Sequence, residues 1–92
     1  MKQYTSKDQT AKLIELGFPK PSPKYIHIGG VSYDSNHNYS IGELIEFLEH
    51  RIYRIENDMQ WLVEGARVYG ADKELINTLF EACVTLKEEG VI

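Results

Sequence analysis

The stretch Arg51-Ile52-Tyr53-Arg54-Ile55-Glu56-Asn57-Asp58-Met59-Gln60-Trp61-Leu62-Val63-Glu64-Gly65-Ala66-Arg67-Val68-Tyr69 decides the fold, because two periodicities run through it at once. Counted from Ile41, the residues Ile41, Ile45, Leu48, Ile52, Ile55, Met59, Leu62, Ala66 and Tyr69 alternate steps of four and three. Taken literally, that is one helix of four heptads, long enough for a helical hairpin or a coiled-coil dimer. Against it stand Asn57-Asp58 in mid-run, the glycines at 65 and 70, and a density of Ile, Tyr, Trp and Val that favours extended backbone. The competing reading is a strand from Arg51 to Glu56, a turn at Asn57-Asp58, a strand from Gln60 to Glu64, and a short strand from about Arg67 to Tyr69. Asn and Asp tolerate the positive φ that a tight hairpin loop requires.

Upstream, Ser40-Ile41-Gly42-Glu43 fits a capping box, and Tyr39 and Leu44 have the spacing of a hydrophobic staple. Ile41, Leu44, Ile45 and Leu48 fall on one side and Glu43, Glu46 and Glu49 on the other, so a helix is expected from about 41 to 50. Ser6-Lys7-Asp8-Gln9 is a second capping box. It opens a helix whose buried stripe is Leu13, Ile14 and Leu16, and Gly17 ends it with Phe18 folding back on Leu13. Between these helices lie a stiff connector holding Pro19, Pro21 and Pro23, and then alternating Tyr25-Ile26-His27-Ile28. Gly29-Gly30 follows as a turn or bulge before Val31-Ser32-Tyr33, and a polar loop runs over residues 34–38. Downstream, Asp72 is the expected cap of a last helix whose apolar face is Leu75, Ile76, Leu79, Phe80, Cys83 and Leu86. Gly90 stops it, with Val91 placed to fold back on Leu86. The expected fold class is α+β, three helices packed on a small, largely antiparallel sheet; the alternative is all-α with a long middle helix over residues 41–69.

Three of these pieces resemble a group of small proteins encoded in many copies in Bacteroides-type gut bacteria, several of them near phage or transposon genes. The matching blocks are residues 6–18 (SKDQTAKLIELGF), 39–48 (YSIGELIEFL) and 74–92 (ELINTLFEACVTLKEEGVI), a little under half of the chain. That family carries no assigned activity, so the resemblance implies no catalytic residues. It does imply aromatic-rich, strand-like sequence between the second and third blocks, often with a proline closing the second helix. Here Glu49-His50 stands in place of the proline.

The 92 residues are 42% hydrophobic and 26% charged, which suits one core and one domain, residues 1–92, and leaves no room for a multi-domain catalytic architecture. No apolar run exceeds three residues, so no membrane span is expected. Met1 to Asp8 has no apolar block of the kind a secretory leader carries, and one cysteine cannot form an intrachain disulfide; the expected location is cytoplasmic. Residues 1–24 hold five lysines against two acidic side chains, a balance of +3. Residues 25–92 hold five basic against twelve acidic side chains, a balance of −7. The lysines Lys2, Lys7, Lys12, Lys20 and Lys24 are spread singly, without arginine forks or stacking aromatics, which reads as a solvated helix face before it reads as a nucleic-acid contact.

The remaining motifs have bland readings that outweigh the chemical ones. Glu46-Phe47-Leu48-Glu49-His50 is similar to a His-x-x-Glu-His zinc arrangement, but its first imidazole is replaced by Glu46. His27, Asp34, His37 and the pair Glu46/His50 could converge on a metal or a small ligand only through the fold, since no pair has ligand spacing. Cys83 lies on an apolar stripe and is expected in the core. Gly29-Gly30 lacks the further glycines and the Lys-Ser/Thr pair of a phosphate loop. No catalytic residue, cofactor or metal is therefore expected. Tyr53, Trp61 and Tyr69 form the candidate interaction surface, because a short sheet covered on one face leaves the other open. The expected function is a non-enzymatic protein-interaction or accessory module of a mobile element, with a protein partner or a second copy as its target. Alternatives are a metal- or ligand-binding domain and a nucleic-acid accessory factor.

Overall fold

The computed structural model describes the backbone of all 92 residues and the side chains of all but residues 25–27, 32–36 and 50. In chain order the elements are α1 (Lys7–Glu15), β1 (Lys24–Ile28), β2 (Val31–Asn36), α2 (Ile41–Leu48), a short 3-10 turn (Glu49–Arg51), β3 (Ile52–Asp58), β4 (Gln60–Gly65), β5 (Val68–Asp72) and α3 (Leu75–Glu88). The architecture is α+β. The strands divide into two antiparallel sheets, the β1-β2 hairpin and the sheet β3-β4-β5.

The long middle helix is contradicted. The chain leaves α2 at Glu49, whose φ of 52° and ψ of −131° cannot continue an α-helix. The heptad was a coincidence of spacing: two of its members, Met59 and Tyr69, are 96% and 71% exposed, which no helical seam would allow. Three hairpin strands take its place, with boundaries shifted from those expected. The turn expected at Asn57-Asp58 lies at Met59 (φ 65°), so β3 runs on through both residues to pair Asp58 with Gln60. The third strand starts at Val68 and reaches Asp72, because Arg67 (φ 70°) is taken up in the two-residue loop between Gly65 and Val68. Gly65 has no substitute: a Cβ there would lie 2.0 Å from the Arg51 carbonyl oxygen, where the β3 ladder slips register between Ile52 and Arg54.

Both capping boxes form. Ser6 Oγ accepts from the Gln9 N–H (3.1 Å) while Gln9 Oε1 accepts from the Ser6 N–H (2.9 Å), and Ser40 and Glu43 repeat the exchange on α2. The two helix starts are tied together by a bridge between Tyr4 and Ser40 and by the buried Thr5 hydroxyl, which accepts the Tyr39 N–H (3.0 Å) and lies 2.7 Å from the Thr10 hydroxyl. Schellman bonds close α1 (Phe18 N–H to the Leu13 carbonyl, 3.1 Å) and α3 (Val91 N–H to the Leu86 carbonyl, 2.9 Å). Gly29 and Gly30 form a hairpin turn with φ of 58° and 81°, the primed turn that matches strand twist. At α3 the cap differs from expectation: Glu74 is the flanking residue, and Asp72 acts from two positions earlier, accepting from the Glu74 N–H (2.8 Å) and the Asn77 side chain (3.1 Å). Ile14, expected in the stripe of the first helix, is exposed.

The core is organised around α3, which buries seven residues where α1 and α2 bury two each. One side of α3 lies against β4 and β5, the other against α1 and α2. Leu13, Tyr39, Leu44, Leu48, Val63, Ile76 and Leu79 meet in a single cluster. A sheet with one helix-covered face leaves its other face unpartnered, and that is where the candidate surface lies.

Candidate interaction surface

Strand alternation assigns the two faces of β3-β4-β5. Val63 is buried and marks the inner face; Ile55 and Gly70 are its register partners, and Trp61 and Val68 lie two residues from members of that row. Ile55 and Trp61 are partly buried against the core cluster, as inner residues should be. The outer face carries Arg54, Glu56, Leu62, Glu64, Tyr69 and Ala71. Tyr53, the extra residue at the register slip, is exposed beside Arg54.

The three aromatics singled out in the sequence are thus divided. Tyr53 and Tyr69, each 71% exposed, stand on the outer face, while Trp61 pairs with Asn57 and Asp72 on the inner one and contributes to the core. The sequence did not single out Leu62 or the charges between the tyrosines. Arg54 reaches Glu64 (2.8 Å) and Glu56 (3.6 Å). These pairs are about half-exposed and contribute at most about 1 kcal/mol to stability each. Their consequence is for recognition, since one small face carries both signs of charge between two exposed phenols. The only sequence signal for this is the i, i+2 repeat Arg54-Glu56 and Leu62-Glu64, visible once the strands are known.

Other candidates fall elsewhere. The side chains of His27, Asp34 and His50 lie outside the described residues. His37 and Glu46 are exposed, and among the described residues no group of three or more His, Cys, Asp or Glu could hold a metal ion. Cys83 is a free thiol in the core, and burial pushes its pKa up to about 12, so it is no nucleophile in the folded state. Lys2, Lys7 and Lys20 are exposed and Lys12 partly buried. Lys24 is bonded to Glu43, which also accepts the N–H groups of Ser22 (3.0 Å) and Ser40 (3.0 Å). Burial opposes the charge on Glu43, but the Lys24 ammonium and those two N–H groups outweigh it and hold the carboxyl at about 2. This lysine therefore fastens the proline connector to α2, joined there by the Tyr39 hydroxyl, which donates to the Pro19 carbonyl (2.5 Å). Among the described residues no helix is long and apolar enough to cross a membrane.

No family model matches this chain, and no curated protein or solved structure matches it either.

Proposed function

We propose that the protein is a non-enzymatic interaction module that self-associates through the outer face of β3-β4-β5. The observation that carries this reading is that Tyr53 and Tyr69 are both exposed on the one face of the sheet that no described element covers. Exposed aromatics with an arginine between them are the composition of contact surfaces rather than of ordinary solvent faces. A second copy suits the face because Arg54 sits among Glu56 and Glu64: a twofold rotation sets the arginine of one copy against the glutamates of the other. Three short strands offer less than the roughly 800 Å² per partner of a standard interface, so the dimer is weak and reversible.

The accessory role in a mobile element is supported by the resemblance of residues 6–18, 39–48 and 74–92 alone. A cytoplasmic location is supported by the free thiol, which suits a reducing compartment. The test of self-association is the molecular mass as a function of concentration, with Tyr53→Lys and Tyr69→Lys as the face-directed variants. A mass that rises with concentration in the parent chain and not in the variants supports the reading.

A further inference from the structure

We infer that the free edge of β5, with the seam between β5 and α3, is a docking groove for an extended segment of another protein. That segment carries a small or apolar residue and, two positions away, lysine or arginine. This rests on the reading of the chain as an interaction module but uses none of the outer-face side chains.

The backbone of β5 is set up for strand addition. Gly65 and Val68 close a two-residue loop and so exchange both of their backbone hydrogen bonds. Alternation from that pair turns the N–H and C=O groups of Val68, Gly70 and Asp72 toward β4, and those of Tyr69 and Ala71 away from the sheet. The opposite edge is guarded in the usual ways: β3 has a register slip at Tyr53 and the charges Arg54, Glu56 and Asp58. The sequence of β5 up to Ala71 is Val-Tyr-Gly-Ala, with no charge, proline or bulge.

Two cavities lie along the same seam and share Gly70, Thr78 and Glu81. The first, about 110 Å³, has Val63, Val68 and Ala82 among its walls; the second, about 350 Å³, has Asp72 with Gln9 and Asn77. The space beside Gly70 exists because the residue has no side chain, and even a Cβ there would sit 3.6 Å from Thr78 Cγ2. In an added strand, residues two apart face the same side at a spacing of about 6.8 Å, the step from Gly70 to Asp72 on β5. One inward residue therefore meets the smaller, more apolar cavity, and the next meets the carboxylates of Asp72 and Glu81, which call for a cation.

A second copy fits this groove badly. Pairing two β5 edges about Gly70 sets Val68 of each copy beside the acidic end of the other, and Asp72 beside the apolar end. The occupant is therefore a different chain, held by backbone pairing and read by alternate side chains.

Panning a library of displayed random peptides against the intact chain tests this. Enriched peptides are expected to show a small or apolar residue and, two positions before or after it, lysine or arginine; titrating the winner should shift the Tyr69 and Ala71 amide resonances. Ala71→Pro removes an outward N–H without touching the β4 ladder, and should weaken binding by about tenfold or more. Glu81→Lys, on the exposed surface of α3, gives a second variant if the proline disturbs folding; it should weaken the lysine peptide about tenfold and favour a glutamate version. Tyr53→Lys should leave peptide binding intact while removing self-association, which separates failure of this inference from failure of the outer-face reading. The inference is overturned if no pattern is enriched, or if binding is indifferent to both Ala71→Pro and Glu81→Lys. It is also overturned if the β5 amides shift with protein concentration alone, since a second copy then occupies the edge.

Discussion

Tyr69 lies in direct cross-strand register with Glu64, whose carboxylate binds Arg54 on the next strand, so one row across the outer face runs from edge phenol to ion pair. Tyr53 flanks the far end of that row. A row whose two tyrosines stand mostly in water should matter little for folding. Tyr53→Ser and Tyr69→Ser are each expected to change unfolding free energy by no more than about 0.5 kcal/mol. Trp61→Ala, on the inner face, should cost about 2–4 kcal/mol. Denaturant titrations check the contrast, and equal losses at Tyr69 and Trp61 would invalidate the assignment of faces.

The two strand glycines should behave oppositely. Gly65→Ala forces a Cβ onto the Arg51 carbonyl and is expected to cost about 1–3 kcal/mol. Gly70→Ala meets the Thr78 side chain at van der Waals distance and loses no left-handed conformation, so it should stabilise by about 0.4–1 kcal/mol. Thermal melts of the two variants, moving in opposite directions, are the expected result.

Met59 is a methionine in a left-handed turn conformation, which residues other than glycine and asparagine adopt at a cost. Met59→Asn should therefore raise stability by about 0.5–1 kcal/mol, because nothing is lost from a side chain that is almost wholly in water. A lower melting temperature would count against the hairpin tip as placed.

Much of this was legible from residues 6–18, 40–48 and 86–91, where capping boxes and terminal glycines use local rules that tertiary contacts seldom override. In the middle the three strands were legible from the density of Ile, Tyr, Trp and Val, but their bounds and inner face were not: apolar residues at 52, 55, 59, 62 and 66 also satisfy a helical repeat by chance, and only burial tells that Val63, outside that repeat, is the core residue. The turn position failed for a related reason. Asn57 and Asp58 are the better turn formers, yet the register that puts Val63 opposite Ile55 leaves Met59 at the tip. The candidate surface could be only half read, since a sequence lists Trp61 beside the tyrosines while alternation puts it on the other side.

Glu43 sets an acid limit on stability. Its carboxyl titrates at about 2 in the folded chain against an ordinary value of 4.5, so the folded state favours the ionised form. That contribution is complete above about pH 4.5 and disappears as the pH falls toward 2, at most about 3 kcal/mol in all. Asp72, lowered by the Glu74 N–H and then by Asn77, adds a loss of the same sign. Unfolding free energy measured from pH 6 to pH 2 should fall in the parent chain and fall less steeply in Glu43→Gln.

Cys83 should be silent in the folded protein. With its thiol buried and its pKa raised to about 12, alkylation at pH 8 is expected to proceed at the rate of unfolding rather than at the rate of an exposed thiol. Mass spectrometry over time, with and without denaturant, measures it.

The most direct measurement of the central claim is sedimentation equilibrium of the parent chain and of Tyr53→Lys and Tyr69→Lys, at concentrations from about 10 μM to about 1 mM, the range expected of a small interface. Self-association through the outer face predicts a mass that climbs toward twice the monomer value in the parent and stays at the monomer value in both variants. A monomer throughout the range, or a dimer that both substitutions leave untouched, would contradict it.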